Sequence, residues 1–217
     1  MAFVLFFDGL AHTTAEPAAF LHDTLVVWVA VLALPVVRER LSPWNVVAVV
    51  LLVAGQTAVV GGVGHLVVGE GQLLVLGATL LWAVETVVAK RLLRTMAPTT
   101  LGTTRMAVGA VVLVGYVVAT GHLGTLAGLD RRQIGWVLLT GALLAAYVGT
   151  WMVALARARA VDVTSVLAAS VIVTALCQAA AGTSSLAPEA LGLVLVVAGA
   201  LAVLAAWPRR ALAPRGT

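Results

Sequence analysis

One cysteine, one lysine, two isoleucines and one charged residue in ten mark what this 217-residue chain has least of. Each scarcity excludes something. Cys177 stands alone in an apolar run, so no intrachain disulfide framework can form. His12, His22, His65 and His122 show no His-x-x-x-His spacing, and Cys-x-x-Cys and Gly-x-Ser-x-Gly are both absent. The glycine-rich stretch Gly61 to Gly71 lacks the lysine and the serine or threonine of a phosphate-binding loop. The expectation is a protein without cofactor or metal and without enzymatic machinery.

Apolar surface is what the chain has in excess. Hydrophobic residues make up 62% and charged ones 10%, against roughly 45–50% and 25% for soluble domains. Mean hydropathy is +1.10. The composition is that of a polytopic, all-α membrane protein. A sequence pI of about 10.2 would suggest nucleic acid in a soluble domain, but here membrane topology accounts for the basic residues, and no nucleic-acid partner is expected. The expected environment is a lipid bilayer.

The chain is organised around Ala18 to Pro43, a hydrophobic run with His22 and Asp23 near one end and Arg38, Glu39 and Arg40 at the other. From His22 to Val37 the rise is about 24 Å at 1.5 Å per residue, and the preceding apolar residues complete the ~30 Å of a bilayer core. Asp23 therefore falls inside the membrane. Upstream, Met1 to Ala11 reaches only about half that thickness and lacks the basic region and cleavage site of a signal peptide. Downstream, apolar runs at about Trp44–Val63, Gln72–Leu93, Thr99–Thr120, Gln133–Leu155, Val161–Ala181 and Glu189–Trp207 are each long enough to cross. The count is about seven full transmembrane helices plus a half helix.

Alternate loops differ in charge. One set holds Arg38, Arg40, Lys90, Arg91, Arg94, Arg157, Arg159, Arg209, Arg210 and Arg215, with Arg105 just inside a span, and the other holds only Arg131 and Arg132. This bias places the Arg38–Glu39–Arg40 turn and the C-terminal tail, residues 208–217, in the cytoplasm of a cell whose plasma membrane the chain spans.

A shift of 145 residues lays Leu10-Ala11 on Leu155-Ala156, Ala15 on Ala160, Val26 on Val171, Ala30 on Ala175 and Leu41-x-Pro43 on Leu186-x-Pro188. After a one-residue gap, Ala54-Gly55 falls on Ala198-Gly199. The chain thus reads as an internal repeat, with residues 1–63 the remainder of a first unit and 72–207 a second. The offset puts the start of the first unit ahead of Met1, so the sequence is expected to be N-terminally truncated relative to ten spans. Five-helix units insert with opposite topology, the inverted-repeat plan of many secondary transporters.

Arg38-Glu39-Arg40-Leu41 with Pro43, Ala48 with Gly55, Gly192 with Gly199, and Trp82-Ala83 followed by Lys90-Arg91 and Pro98 resemble the EamA-type branch of the drug/metabolite transporter (DMT) superfamily. The resemblance implies two five-helix inverted repeats in the full family fold. It also implies that the third, fourth, sixth, eighth and ninth helices of that fold line a solute cavity. A proline often seen midway along the fourth and ninth helices has no counterpart here, where Pro17 and Pro35 lie near the ends of the fourth.

Charged groups within spans cost roughly 2.5–3.5 kcal/mol on insertion scales and normally face a cavity or a partner. Asp8, His22, Asp23 and Glu85 are the candidates. Asp23 is either a proton-coupling or cation-binding group or one interhelical hydrogen bond that fixes packing. Glu85 either lines the cavity or pairs locally with Lys90. Ser170, Thr174 and Gln178, at i, i+4 and i+8, form a polar stripe that contacts either solute or a neighbouring helix. Tyr147 and Trp151 share a face with Thr140 that could stack a flat or cationic solute or anchor the helix at the interface. Gly141, Ala145 and Gly149 form a small-residue row suited to close helix contact.

The expected function is secondary transport of a small organic solute, a metabolite, amino acid or drug-like compound, by alternating access, with export as the leading direction. A homodimer is left open. The rival reading is a truncated, non-transporting membrane fragment or scaffold whose helices pack but enclose no cavity.

Overall fold

A computed structural model describes residues 2–39, 41–59, 69–121, 124, 128–180 and 190–206, less the side chains of Ala15, Glu16, Thr174 and Gln178. Among the described residues the elements are all helical: α1 (Ala2–Ala11), α2 (Ala15–Asp23), α3 (Leu25–Val36), α4 (Pro43–Val59), α5 (Glu70–Leu92), α6 (Pro98–Ala119), α7 (Arg131–Arg157), α8 (Ala160–Ala168), α9 (Ser170–Ala180) and α10 (Ala190–Ala206). Pro17–Val36, Glu70–Leu92, Pro98–Ala119, Arg131–Arg157 and Ala160–Cys177 are long and apolar enough to cross a membrane. Ala2–Ala11, Pro43–Val59 and Ala190–Ala205 are shorter apolar helices. This is the architecture of a polytopic membrane protein.

Local sequence sets the helix ends. Pro98 opens α6 at its first turn, where a missing N–H costs nothing. Asp130 and Gln133 form a reciprocal capping box at the start of α7: the Gln133 amide donates to Asp130 Oδ1 at 2.7 Å, and the Asp130 amide donates to Gln133 Oε1 at 2.9 Å. After α3 the chain turns through Arg38, whose φ of 57° is left-handed and uncommon for a side chain of this kind. The Glu39 amide then reaches back to the Ala33 carbonyl at 3.2 Å.

The chain forms two compact units, residues 1–88 with 159–217, and residues 89–158. In the first, α4 and α10 make the closest helix pair. A Cβ on Gly55 would stand 2.8 Å from the Gly192 carbonyl oxygen and 2.9 Å from the Val196 nitrogen, and one on Gly199 would stand 3.1 Å from the Ala48 carbonyl oxygen. Backbones approach this closely only where side chains are absent. The two contacts mirror each other: Gly55 meets Gly192 and Val196 as Gly199 meets Ala48 and Leu52. Val26, Leu52, Ala168 and Val196 form a buried core beside this pair, flanked by Val27 and Ile172. In the same unit Gly9 of α1 lies against α5, where a Cβ would meet the Gly71 oxygen at 2.8 Å.

In the second unit α6 meets α7 where Gly102 faces Met152 and Val148. Lys90 donates from Nζ to the Leu155 and Ala158 carbonyls at 2.6 and 2.5 Å, placing a cation on the carbonyl end of α7. The small-residue row of α7 differs from its expectation. Among the described residues nothing lies within 4 Å of a Cβ built on Gly141 or Gly149, and the close glycine approach is found between α4 and α10 instead.

Candidate functional site

Two of the spans, Pro17–Val36 and Ala160–Cys177, are each interrupted once. α2 gives way to α3 at Thr24 and α8 to α9 at Ala169, both with φ near −70° and ψ of −8°. The two breaks share one pattern of backbone hydrogen bonds, to which Thr24 O adds a second, 3.3 Å bond from the Trp28 amide. The Thr24 amide bonds the Phe20 carbonyl and the Ala169 amide the Ser165 carbonyl, whereas Val27 donates to Thr24 O at 2.9 Å and Ile172 to Ala169 O at 3.2 Å. One i to i+3 bond thus replaces an i to i+4 bond in each span. Thr24 and Ala169 lie 145 residues apart, the offset at which the sequence matches itself.

No proline makes these breaks. At Thr24 the hydroxyl donates to the Leu21 carbonyl at 2.6 Å and accepts from the Trp28 indole N–H at 3.1 Å. A threonine that bonds its own preceding turn competes with the helical ladder and bends it. At the second break the Ala168 carbonyl, released from the ladder, accepts from Gln56 Nε2 of α4 at 2.8 Å. Gln56 is 4% exposed. A buried carbonyl without a partner would cost about 1–3 kcal/mol, so this side chain completes the break.

The two broken spans meet through α3 and α8, and a polar cluster closes that end. Glu39, on the turn after α3, accepts from the Ala160 amide at 3.2 and 3.0 Å on its two oxygens, a carboxylate on a helix N-terminus. Asp162, buried in the first turn of α8, accepts from Asn45 Nδ2 at 2.7 Å and from Arg159 Nε at 2.8 Å. Asn45 Oδ1 in turn accepts from the Ser42 amide at 3.0 Å. The turn after α3 and the start of α4 are thereby tied to the start of α8.

The structure places the expected site residues as follows. His22 and Asp23 are half-buried on the last turn of α2, directly before the break. The His22 ring lies 5.5 Å from the ring of Phe6 and 5.0 Å from that of Trp82, and Phe6 and Trp82 are themselves 5.2 Å apart. His22 Nδ1 is buried and has no hydrogen-bond partner among the described residues. Asp8 is exposed and faces His12 one turn on, at 3.7 Å. Glu85 is half-buried on α5, in the same unit. Ser170 opens α9 and is exposed. The backbones of Thr174 and Gln178 belong to α9, and their side chains lie outside the described residues. Tyr147 and Trp151 belong to the second unit and stack on each other, with centroids 5.9 Å apart and planes 28° apart.

Asn45, Gln56 and Asp162 make buried polar contacts between distant helices, and they and Arg159 were not among the expected site residues. A signal existed for two of them. Asn45 and Gln56 are eleven residues apart on one otherwise apolar helix, three turns and so the same face.

Solved structures share this fold. One crystal structure superposes with a TM-score of 0.68 at 18% identity, covering 96% of this chain and 73% of that one, a likeness of fold alone. No curated protein matches the chain. Residues 69–205 match the family model of EamA-like transporters, which spans α5 to α10 but for the last residue of α10. With well over half its length in that match, the chain belongs to the EamA-like transporter family, within the drug/metabolite transporter superfamily.

Proposed function

We propose that the protein is a secondary transporter that moves a small organic solute across the plasma membrane by alternating access, in the direction of export. The observation that carries this reading is the pair of matched breaks at Thr24 and Ala169 on two spans that pack together. Interrupted helices expose backbone carbonyls at membrane depth, which is tolerated only beside protein or a hydrated cavity, and transporters bind their solutes at such points. The matched breaks and the mirrored glycine contacts of α4 and α10 also support residues 1–63 and 72–207 as two related units, and the loop charges support a cytoplasmic C-terminus.

In this reading the Glu39, Asn45, Arg159 and Asp162 cluster is the closed cytoplasmic end. Asp23, next to the first break, is the coupling group, with His22 beside it and Glu85 on the neighbouring sixth span. Ser170, Thr174 and Gln178 continue the polar face beyond the second break, while Tyr147 and Trp151 anchor their helix. The rival reading, a packing scaffold, has no use for a helix break beside a half-buried acid.

Reconstitution of the full chain into proteoliposomes tests the function. Counterflow of amino acids and organic amines is expected, and its rate should depend on the pH gradient. Asp23→Asn should flatten that dependence. An unchanged pH dependence in Asp23→Asn would remove the coupling role, and absence of counterflow with every solute class would favour the scaffold.

A further inference from the structure

The matched halves of the two broken spans are held differently. α8 is bonded to α4 near both of its ends: Asn45 Nδ2 donates to Asp162 Oδ1 at 2.7 Å, and Gln56 Nε2 donates to the Ala168 carbonyl at 2.8 Å. Seven of its nine residues are buried. Its counterpart at the 145-residue offset is α2. Among the described side chains of α2 only Ala18 and Phe20 are buried. The side-chain hydrogen bonds at its break stay within the span, from Thr24 Oγ1 to the Leu21 carbonyl at 2.6 Å and from Trp28 Nε1 to Thr24 Oγ1 at 3.1 Å.

We infer that Thr24 is a hinge about which α2 swings, whereas α8 moves only with α4, so that the two matched halves gate the protein unequally. The inference rests on the transporter reading above. Swinging α8 away from α4 would strand two buried polar groups, the Asp162 carboxylate and the Ala168 carbonyl, and groups parted from their partners in this way are costly. Swinging α2 strands none among the described residues. It parts apolar and ring contacts, among them those of His22 with Phe6 and Trp82, while the Thr24 hydroxyl keeps its partners inside the span. A break that closes its hydrogen bonds within one helix bends without asking another helix to give up a partner. Motion in the span broken at Ala169 is then left to α9, and the resting protein stays closed at the Glu39 and Asp162 end.

The test is double electron–electron resonance on the full chain in lipid nanodiscs, in a Cys177→Ser background that removes the only thiol. Spin labels at Val50→Cys on α4 and Ala19→Cys on α2 read the hinge, and labels at Val50→Cys and Val166→Cys on α8 read the tie; all three positions are exposed. The α2 pair should give two distances or one broad distribution, and the α8 pair a single narrow one. Thr24→Val removes the hydroxyl that competes with the helical ladder and should narrow the α2 pair to one distance, whereas Thr24→Ser keeps the hydroxyl and should leave the pair broad. Asn45→Leu with Gln56→Leu should broaden the α8 pair. Should that double variant fail to fold, the unaltered chain and the two Thr24 variants decide alone. An α2 pair as narrow as the α8 pair, an α8 pair already broad in the unaltered chain, or an α2 pair unmoved by Thr24→Val overturns the hinge. Counterflow in a protein whose α2 pair is narrow would remove the hinge and leave the transport reading standing. A mobile α2 without counterflow of any solute class would do the reverse.

Discussion

Asp162 is 2% exposed, and its two donors decide whether α8 can begin where it does. A buried carboxylate gains little net stability from being paired, but taking away a partner leaves charge in a poor solvent. Asn45→Leu, removing the 2.7 Å bond, should destabilise the protein by about 1.5–3 kcal/mol. Arg159→Met should cost at least as much, and combining it with Asp162→Leu should restore part of the loss, since no unpaired charge then remains. Chemical unfolding in mixed micelles, followed by circular dichroism, measures all three. Equal losses in Arg159→Met and the double variant would show that the ion pair is incidental. Asp162 hides in the apolar run Val161–Ala181 because its partners are not local. Asn45 is 117 residues away. Glu39 was legible as part of a charged turn, yet nothing near it in sequence names the Ala160 amide, 121 residues on.

At the scale of the helix, glycine has opposite meanings in different places. Gly55 and Gly192 let α4 and α10 approach until backbone meets backbone. Gly55→Ala should force the pair apart at a cost of about 1–3 kcal/mol. Gly141→Ala in α7, where a Cβ meets nothing within 4 Å, should instead gain about 0.5–1 kcal/mol from helix propensity. Thermal unfolding of the two variants should therefore move in opposite directions. The Ala48/Gly55 and Gly192/Gly199 pattern was legible as part of a family resemblance and not as a close helix contact, because sequence does not say which two spans lie together. The row at Gly141 signalled close packing without the contact, since spacing shows that a face is small and does not show what stands opposite. The breaks were illegible for a related reason. A proline announces a kink, whereas Thr24 bonds its own helix through its hydroxyl, and at the second break the freed Ala168 carbonyl is filled by Gln56 of another helix. Gln56→Leu should accordingly cost about 1–3 kcal/mol by stranding the Ala168 carbonyl.

At the scale of the whole molecule, hydrophobic runs and loop charge were enough to show a polytopic helical membrane protein, because the bilayer imposes length and apolarity on every span. What the chain does with those spans depends on polar groups that pair between distant helices. In the proposed transport cycle the moving parts are the two spans broken at Thr24 and Ala169 and tied at one end by Glu39 and Asp162. Loosening that tie with Glu39→Gln and Asp162→Asn together should open the cytoplasmic end more often. The measurement that bears most directly on this claim uses the fact that Cys177 is the only thiol. In a Cys177→Ser background, Thr24→Cys would be labelled with a membrane-impermeant maleimide applied to right-side-out and to inside-out vesicles. Alternating access predicts labelling from both sides, with the Glu39→Gln/Asp162→Asn pair raising the rate from the cytoplasmic side. Labelling from neither side, or from one side alone whatever the state of the tie, would contradict it.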